Sequence, residues 1–482
     1  IGSATRDNGK LYIAGPIVAH SVINLYSGTS ADGRDLDLTS SGLLETRAGS
    51  IEFKAGTNWV LEGSLIAGGA GSDVVLSGAE TLQVRGNIKA AHEIRLSAGT
   101  TEIPDQVSIE TFGTSHLATT EAGGRIVISG MNDVVINSTV GPGSVELASL
   151  EINSEKGDLE ITKESGRLES SGRIQLGGKS VSLFGTVKST ATSDTAVGFE
   201  YSSATPYERD DAAFTPNFDA YEINVGASDT VTITGTLDLA GSLLVAAGKQ
   251  VNVYDPTLKV TGTGKQLHMI SDGDLNLGRT AIASDHESYP DGQRYQQGGL
   301  IGADAKVHLQ AKGLVDIGSA VQLMTFGENS QIVIDSDNLE VVGSIYAGAT
   351  LASDKTTIDW PGAGASVDID VAELVTLGGV GVNNNGQLVT QGGLIQATGG
   401  VDVNVSGGLN QASIYVNPHS SIKTDAAGIF ASQTSNTGPS GGAPSNISLT
   451  GEANVQIYGT IQAFDDGSDV TVRSTSGLTL ID

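Results

Sequence analysis

One short phrase recurs along the chain: an apolar-x-apolar triplet, a small turn, a second such triplet, then glycine, one residue, an apolar residue and soon a small one. Ile447-Ser448-Leu449, Val455-Gln456-Ile457 and Gly459-Thr460-Ile461-Gln462-Ala463 make one copy. Ile332-Val333-Ile334, Leu339-Glu340-Val341 and Gly343-Ser344-Ile345-Tyr346-Ala347 make another. Val74-Val75-Leu76, Leu82-Gln83-Val84 and Gly86-Asn87-Ile88-Lys89-Ala90 follow the same pattern, as do Ile174-Gln175-Leu176, Val181-Ser182-Leu183 and Gly185-Thr186-Val187-Lys188-Ser189. Matching apolar positions of the two triplets stand seven or eight residues apart in all four copies. Alternation of this kind sends every second side chain to one face, so each triplet reads as a short strand with one buried face. A pair of such strands cannot bury that face alone, whereas a stack of them can. The fold expected is therefore all-β, an elongated parallel β-solenoid running through residues 1–482 with loop insertions.

Composition agrees with a narrow, tubular core. The 482 residues include 65 glycines and only 11 prolines, and 5% are aromatic, which leaves Val, Ile, Leu and Ala to fill the interior. Glycine suits corners where a strand turns sharply. A core that grows by length escapes the size limit of a globular domain. There is no cysteine, so the fold uses no disulfide, and an oxidising compartment stays open to it. The formal net charge is -29, with no basic stripe, a balance that repels nucleic acid and anionic lipid and favours divalent cations. No apolar stretch is long enough to span a bilayer. Neither Ile1 nor the strand-like Leu478-Thr479-Leu480-Ile481-Asp482 reads as a polar cap, which leads us to expect a piece of a longer chain or copies that stack end to end.

A longer echo supports stacking. Gln297-Gly298-Gly299-Leu300-Ile301 returns as Gln391-Gly392-Gly393-Leu394-Ile395, and Gly63-Ser64-Leu65-Ile66-Ala67 is a looser relative. With ~20–25 residues per coil the chain holds on the order of 15–20 coils, a rod roughly 70–100 Å long. Three segments lack the phrase: 191–222, 283–297 and 432–446. The first carries Phe199, Tyr201, Tyr207, Phe214, Phe218 and Tyr221, the second Tyr289 and Tyr295, and the third is rich in Ser, Gly, Pro and Asn. Loops that leave a rigid scaffold carry recognition, and tyrosines there suit stacking on sugar faces or on a neighbouring rod. The plainer reading has the aromatics of 199–221 covering one flank. No helical period is sustained; Val371-Ala372-Glu373-Leu374 is too short to count.

Leu43-Leu44-Glu45-Thr46-Arg47-Ala48-Gly49-Ser50-Ile51-Glu52-Phe53 and Gln391-Gly392-Gly393-Leu394-Ile395-Gln396-Ala397-Thr398-Gly399-Gly400-Val401-Asp402-Val403 resemble the degenerate repeats of filamentous haemagglutinin-like bacterial exoproteins. The resemblance covers most of the chain. It implies a right-handed parallel β-helix, export across a bacterial outer membrane to the cell surface or extracellular space, and a role in adhesion or an extracellular matrix. Partners would be other copies or segments of the same fibre, or cell-surface glycans and proteins. Those exoproteins carry an N-terminal secretion module with Asn-Pro-Asn motifs, which the lone Asn417-Pro418-His419 does not match.

Candidate chemistry is sparse. Gly68-Gly69-Ala70-Gly71-Ser72-Asp73-Val74-Val75-Leu76 fits the nine-residue calcium repeat at every fixed position, but no tandem copy completes the six to eight oxygens calcium takes. Asp73 is thus a calcium candidate whose alternative is a corner before a strand. Asp272 and Asp274, Asp335-Ser336-Asp337-Asn338, and Asp465, Asp466 and Asp469 could hold a hard cation or serve as solvated turns. A polysaccharide hydrolase would need paired carboxylates on the outer face of the rod, and a lyase a cation with an Arg or Lys base. Arg209-Asp210-Asp211 and Asp285-His286-Glu287 come nearest, both in irregular segments. The seven histidines show no metal-ligand spacing. Nucleophilic elbows and phosphate cradles need a following helix, and the glycine pairs here precede strands. The function expected is structural and adhesive, a β-helical segment of a surface adhesin or matrix fibre rather than an enzyme. A self-assembling filament subunit and a polysaccharide-degrading β-helix enzyme are the alternatives.

Overall fold

The computed structural model describes residues 11–26, 36–54, 56–99, 107–112, 115–141, 147–163, 165–190, 221–254, 257–278, 298–351, 358–382, 388–406, 413–424, 444–465, 467–477 and 479–481. Among the described residues every regular element is a strand. The chain divides into two compact units, Ile1–Gly241 and Ser242–Asp482.

In the first unit the chain repeats a cycle of three strands. Asp73–Ala79, Thr81–Val84 and Ile88–Ala90 are followed by Glu93–Ala98, Ile109–Thr111 and His116–Thr119. Each strand pairs in parallel with its counterpart one cycle on, placing Val74 beside Ile94, Leu82 beside Ile109 and Ile88 beside Leu117. Such pairing stacks equivalent residues about 4.8 Å apart, and alternation then sorts them into inner and outer columns. One inner column runs Ile23, Ile51, Val74, Ile94, Ile126, Leu150, Ile174 and Ile223. Another runs Leu44, Leu65, Ile88, Leu117, Val140, Leu168, Val187 and Leu237. All of these side chains are buried.

The second unit repeats the plan. Its columns include Leu267, Val307, Ile332, Val367, Val401 and Ile447, then Leu275, Val315, Leu339, Val375, Ile414 and Val455, then Leu258, Ile301, Leu323, Ile345, Ile395 and Ile422. The sequence echo is therefore in phase, because Ile301 and Ile395 occupy the same column. Two strands fuse here: Gln331–Val341 and Ser366–Leu377 each span two positions of the cycle. The register between them shifts at Ser336/Asn338, so Asp335-Ser336-Asp337-Asn338 lies within a bent strand and not in a free turn.

The recurring glycine of the phrase has a steric cause. A methyl group built on Gly86 would overlap the carbonyl oxygen of Gly63, and one on Gly185 that of Gly166. The corners of successive coils approach too closely for any side chain.

Three features depart from the sequence reading. The interior is not purely aliphatic: Phe53 and Trp59 are fully buried in inner columns and meet edge to face, 5.9 Å between ring centroids. Two antiparallel pairs lie within the second unit, Thr350–Leu351 with Ile358–Asp359 and Gly379–Val382 with Leu388–Gln391. A satellite apolar cluster forms around Met324, Tyr346 and Ala349, against which Phe326, Ile358 and Trp360 pack, with Trp360 edge-on to Tyr346 at 5.8 Å.

Candidate functional site

The polar residue just before the first inward apolar residue of a strand has a consistent task. Ser50, Asp73, Asp133, Asp158, Asn446 and Ser242 precede Ile51, Val74, Val134, Leu159, Ile447 and Leu243. Each side-chain oxygen accepts the backbone N–H of the residue in the same phase one coil on. Asp73 N–H donates to Ser50 Oγ at 3.0 Å, and Glu93 N–H to Asp73 Oδ1 at 3.0 Å. Asp158 N–H donates to Asp133 Oδ1 at 2.8 Å, and Ser180 N–H to Asp158 Oδ1 at 3.1 Å. Gln266 N–H reaches Ser242 Oγ at 3.2 Å, and Asp469 N–H reaches Asn446 Oδ1 at 2.9 Å. These brackets satisfy backbone donors at corners where the sheet hydrogen bonding is interrupted.

The calcium candidates fall within this scheme. At the 68–73 corner Gly69 and Gly71 adopt positive φ, 90° and 71°, and Ser72 Oγ donates to the Gly68 carbonyl at 2.7 Å. Asp73 follows, and His92 Nδ1 stands 3.0 Å from Asp73 Oδ1. Glu93, the register partner of Asp73, completes a cluster whose ligand-type atoms all lie within 4.8 Å of one another. Arg95 Nη2 holds Glu93 Oε1 at 2.7 Å. From the following coil Glu121 accepts the Gly71 N–H, 3.1 Å to Oε2. Sequence reading found Asp73 but missed His92 and Glu93, which stand one coil further on. Asp274 Oδ1 accepts the Leu314 N–H at 2.9 Å, and Asp272 pairs with Lys312 Nζ at 2.8 Å. Asp465 is buried and accepts a hydrogen bond from Ser445 Oγ. Asp469 is exposed and its carbonyl accepts the Ile447 N–H at 2.9 Å. Asp466 lies outside the described residues. Among the described residues, only Asp73, His92 and Glu93 gather three ligand-type atoms within 4.8 Å of one another.

A second polar group sits on an outward face of the second unit. His268 and His308 stack, His308 Nε2 lies 2.7 Å from Asp335 Oδ2, and Gln310 bridges His268 Nε2 (3.0 Å) and Asp335 Oδ2 (3.2 Å). Burial first, and the adjoining His308 second, push His268 down to about 3. Burial opposes the charge on Asp335, but hydrogen bonds from His308 and Gln310 outweigh it and hold the carboxyl below its usual range. Elsewhere Asp316 and Glu340 are direct register partners on adjacent coils, and burial raises the Glu340 pKa. Asp73 and Glu93, Asp335 and Asp370, and Asp368 and Asp402 are likewise acidic register partners across coils, and sequence reading found none of these pairs because their members stand 20 to 35 residues apart.

Of the aromatic candidates only Tyr221 is described. It is half-buried, and burial raises its phenol pKa. Phe199, Tyr201, Tyr207, Phe214, Phe218, Tyr289 and Tyr295 lie outside the described residues, as does most of 191–222, 283–297 and 432–446. At the end of the last segment, Ser445 is buried; its carbonyl accepts Thr424 Oγ1 at 2.7 Å. No helix among the described residues is long and apolar enough to cross a membrane. No protein-family profile, no curated protein and no solved structure matches the chain.

Proposed function

We propose that this chain is a segment of a right-handed parallel β-helix that works as a stiff extracellular scaffold, part of a bacterial surface adhesin or matrix fibre. The observation that carries the reading is the continuity of the inner apolar columns within each unit, as in Leu44, Leu65, Ile88, Leu117, Val140, Leu168 and Val187. Parallel backbone hydrogen bonds over continuous apolar columns tie each coil to its neighbours within a unit. Corner carboxylates such as Asp133 and Asp158 bond backbone N–H groups of the next coil, which suits a mechanical part. The acidic surface disfavours nucleic acid, and the resemblance of residues 43–53 and 391–403 to haemagglutinin-like repeats supports the extracellular setting. Segments 191–222 and 283–297, with their tyrosines, are the places of contact with glycans, surface proteins or further fibre segments.

Small-angle scattering and negative-stain microscopy of the purified chain test the scaffold; the length of roughly 70–100 Å that the repeat count in the sequence implies is expected. Beads coated with the chain should adhere to glycan-bearing cells, and replacement of 191–222 by a short linker should abolish adhesion. A globular particle overturns the scaffold. Release of reducing ends from polysaccharide, lost in Glu340→Gln, replaces the adhesive role with cleavage.

A further inference from the structure

We propose that Asp73, His92 and Glu93 form a binding site for a zinc-like divalent transition-metal ion, which clips two successive coils together. The ligands come from adjacent strands held in fixed register, Asp73 from Asp73–Ala79 and Glu93 from Glu93–Ala98, with His92 at the entry to the second strand. Their ligand atoms lie within 4.8 Å of one another, with His92 Nδ1 and Asp73 Oδ1 only 3.0 Å apart. Around a tetrahedral ion with bonds of about 2.0–2.1 Å, ligand atoms stand roughly 3.3–3.5 Å apart, so side-chain shifts of about 1 Å close the shell. Three protein ligands plus water is a normal complement for such an ion.

The imidazole decides the class of metal. Calcium takes six to eight oxygens, and this corner offers two carboxylates and a nitrogen. Imidazole with carboxylate suits zinc, nickel or copper. The side chain of His92 is 51% exposed, so an ion reaches it without displacing packed groups. Glu121, bonded to the Gly71 N–H two residues before Asp73, adds negative charge from a third coil. One cation competes: Arg95, paired with Glu93 at 2.7 Å. The site is independent of the adhesive role, since a clip between coils serves any use of the scaffold.

Equilibrium dialysis and calorimetry with zinc chloride on the whole chain test the proposal. The unmodified protein should bind one equivalent more than His92→Ala, at an affinity at least tenfold above the residual sites. Glu93→Gln should weaken that equivalent by a similar factor, and Arg95→Gln should tighten it several-fold by removing the competitor. Zinc should raise the melting temperature of the unmodified chain and leave that of His92→Ala unchanged, while excess calcium chloride should not displace the ion. Circular dichroism checks that the variants fold, with His92→Gln as the replacement should His92→Ala fail. Equal stoichiometry and affinity in the unmodified and His92 proteins, or displacement by equimolar calcium, overturns the site.

Discussion

The imidazole rings of His268 and His308 lie face to face, their centroids 4.4 Å apart and their planes within 6° of parallel. They are register partners on adjacent coils, so the spacing of the sheet itself sets the stack. Two protonated rings at that distance repel, and Asp335 stands within salt-bridge reach of the His308 ring.

Acid sensitivity follows. In the unfolded chain His268 takes up a proton near its ordinary value of 6.5, but the folded ring resists protonation down to about 3. Between these values the unfolded state binds more protons, so the stability contributed above pH 6.5 is lost as pH falls toward 3. The loss amounts to roughly 3–5 kcal/mol over the window. Asp335, held below its usual range, adds a further loss under more acidic conditions. Urea unfolding of the second unit between pH 7 and 4 should show the decline, and His268→Phe, which keeps a stacking ring without a titrating nitrogen, should flatten it. Parallel pH profiles for the two proteins would remove His268 as the cause.

Corner glycines should divide sharply by position. Gly86→Ala drives a methyl into the Gly63 carbonyl, and the backbone must move. A cost of about 1–3 kcal/mol is expected, as for other overpacked sites. Gly15, with nothing within 4 Å of a built methyl and no positive φ, should accept alanine with a change of about 0.5 kcal/mol or less. Chemical denaturation midpoints of the two variants make the comparison.

Loss of one corner bracket should be local. Asp158→Ala leaves the Ser180 N–H without its acceptor, at a cost of about 1–2 kcal/mol. Asp158→Asn keeps an oxygen in place and should stay near the parent. Amide hydrogen exchange should accelerate at Ser180 in the alanine variant alone; equal rates in all three proteins would mean that the bracket contributes nothing.

The inward columns were legible because strand alternation is local. Val74, Leu82 and Ile88 declare their face within five or six residues, and parallel stacking then follows from the need to cover that face. The glycines were legible as corners, although their cause at Gly86 is the approach of the coil before it and not backbone twist. What escaped were relationships one coil apart. Asp73 meets His92 nineteen residues on, His268 meets His308 forty on, and Asp316 meets Glu340 twenty-four on. Coil length varies, so no fixed spacing announces them. Aligning the residue before each first inward apolar position would have set Ser50, Asp73 and Glu93 in one row. The pair Gly379–Val382 and Leu388–Gln391 did carry a signal, Asn385-Gly386 between alternating segments, the commonest mark of a tight hairpin. The inward turn of Trp59 carried none, since a large ring and an aliphatic residue fit the same alternation.

Val187 lies beside Leu237, yet fifty residues separate them, whereas Leu168 reaches Val187 in nineteen. The neighbour relation is indifferent to the length of the detour. Evolution can therefore rewrite, lengthen or exchange what the chain says between two such partners while the partners themselves stay put. A protein engineer gains the same freedom: foreign epitopes spliced into a detour inherit a fixed base.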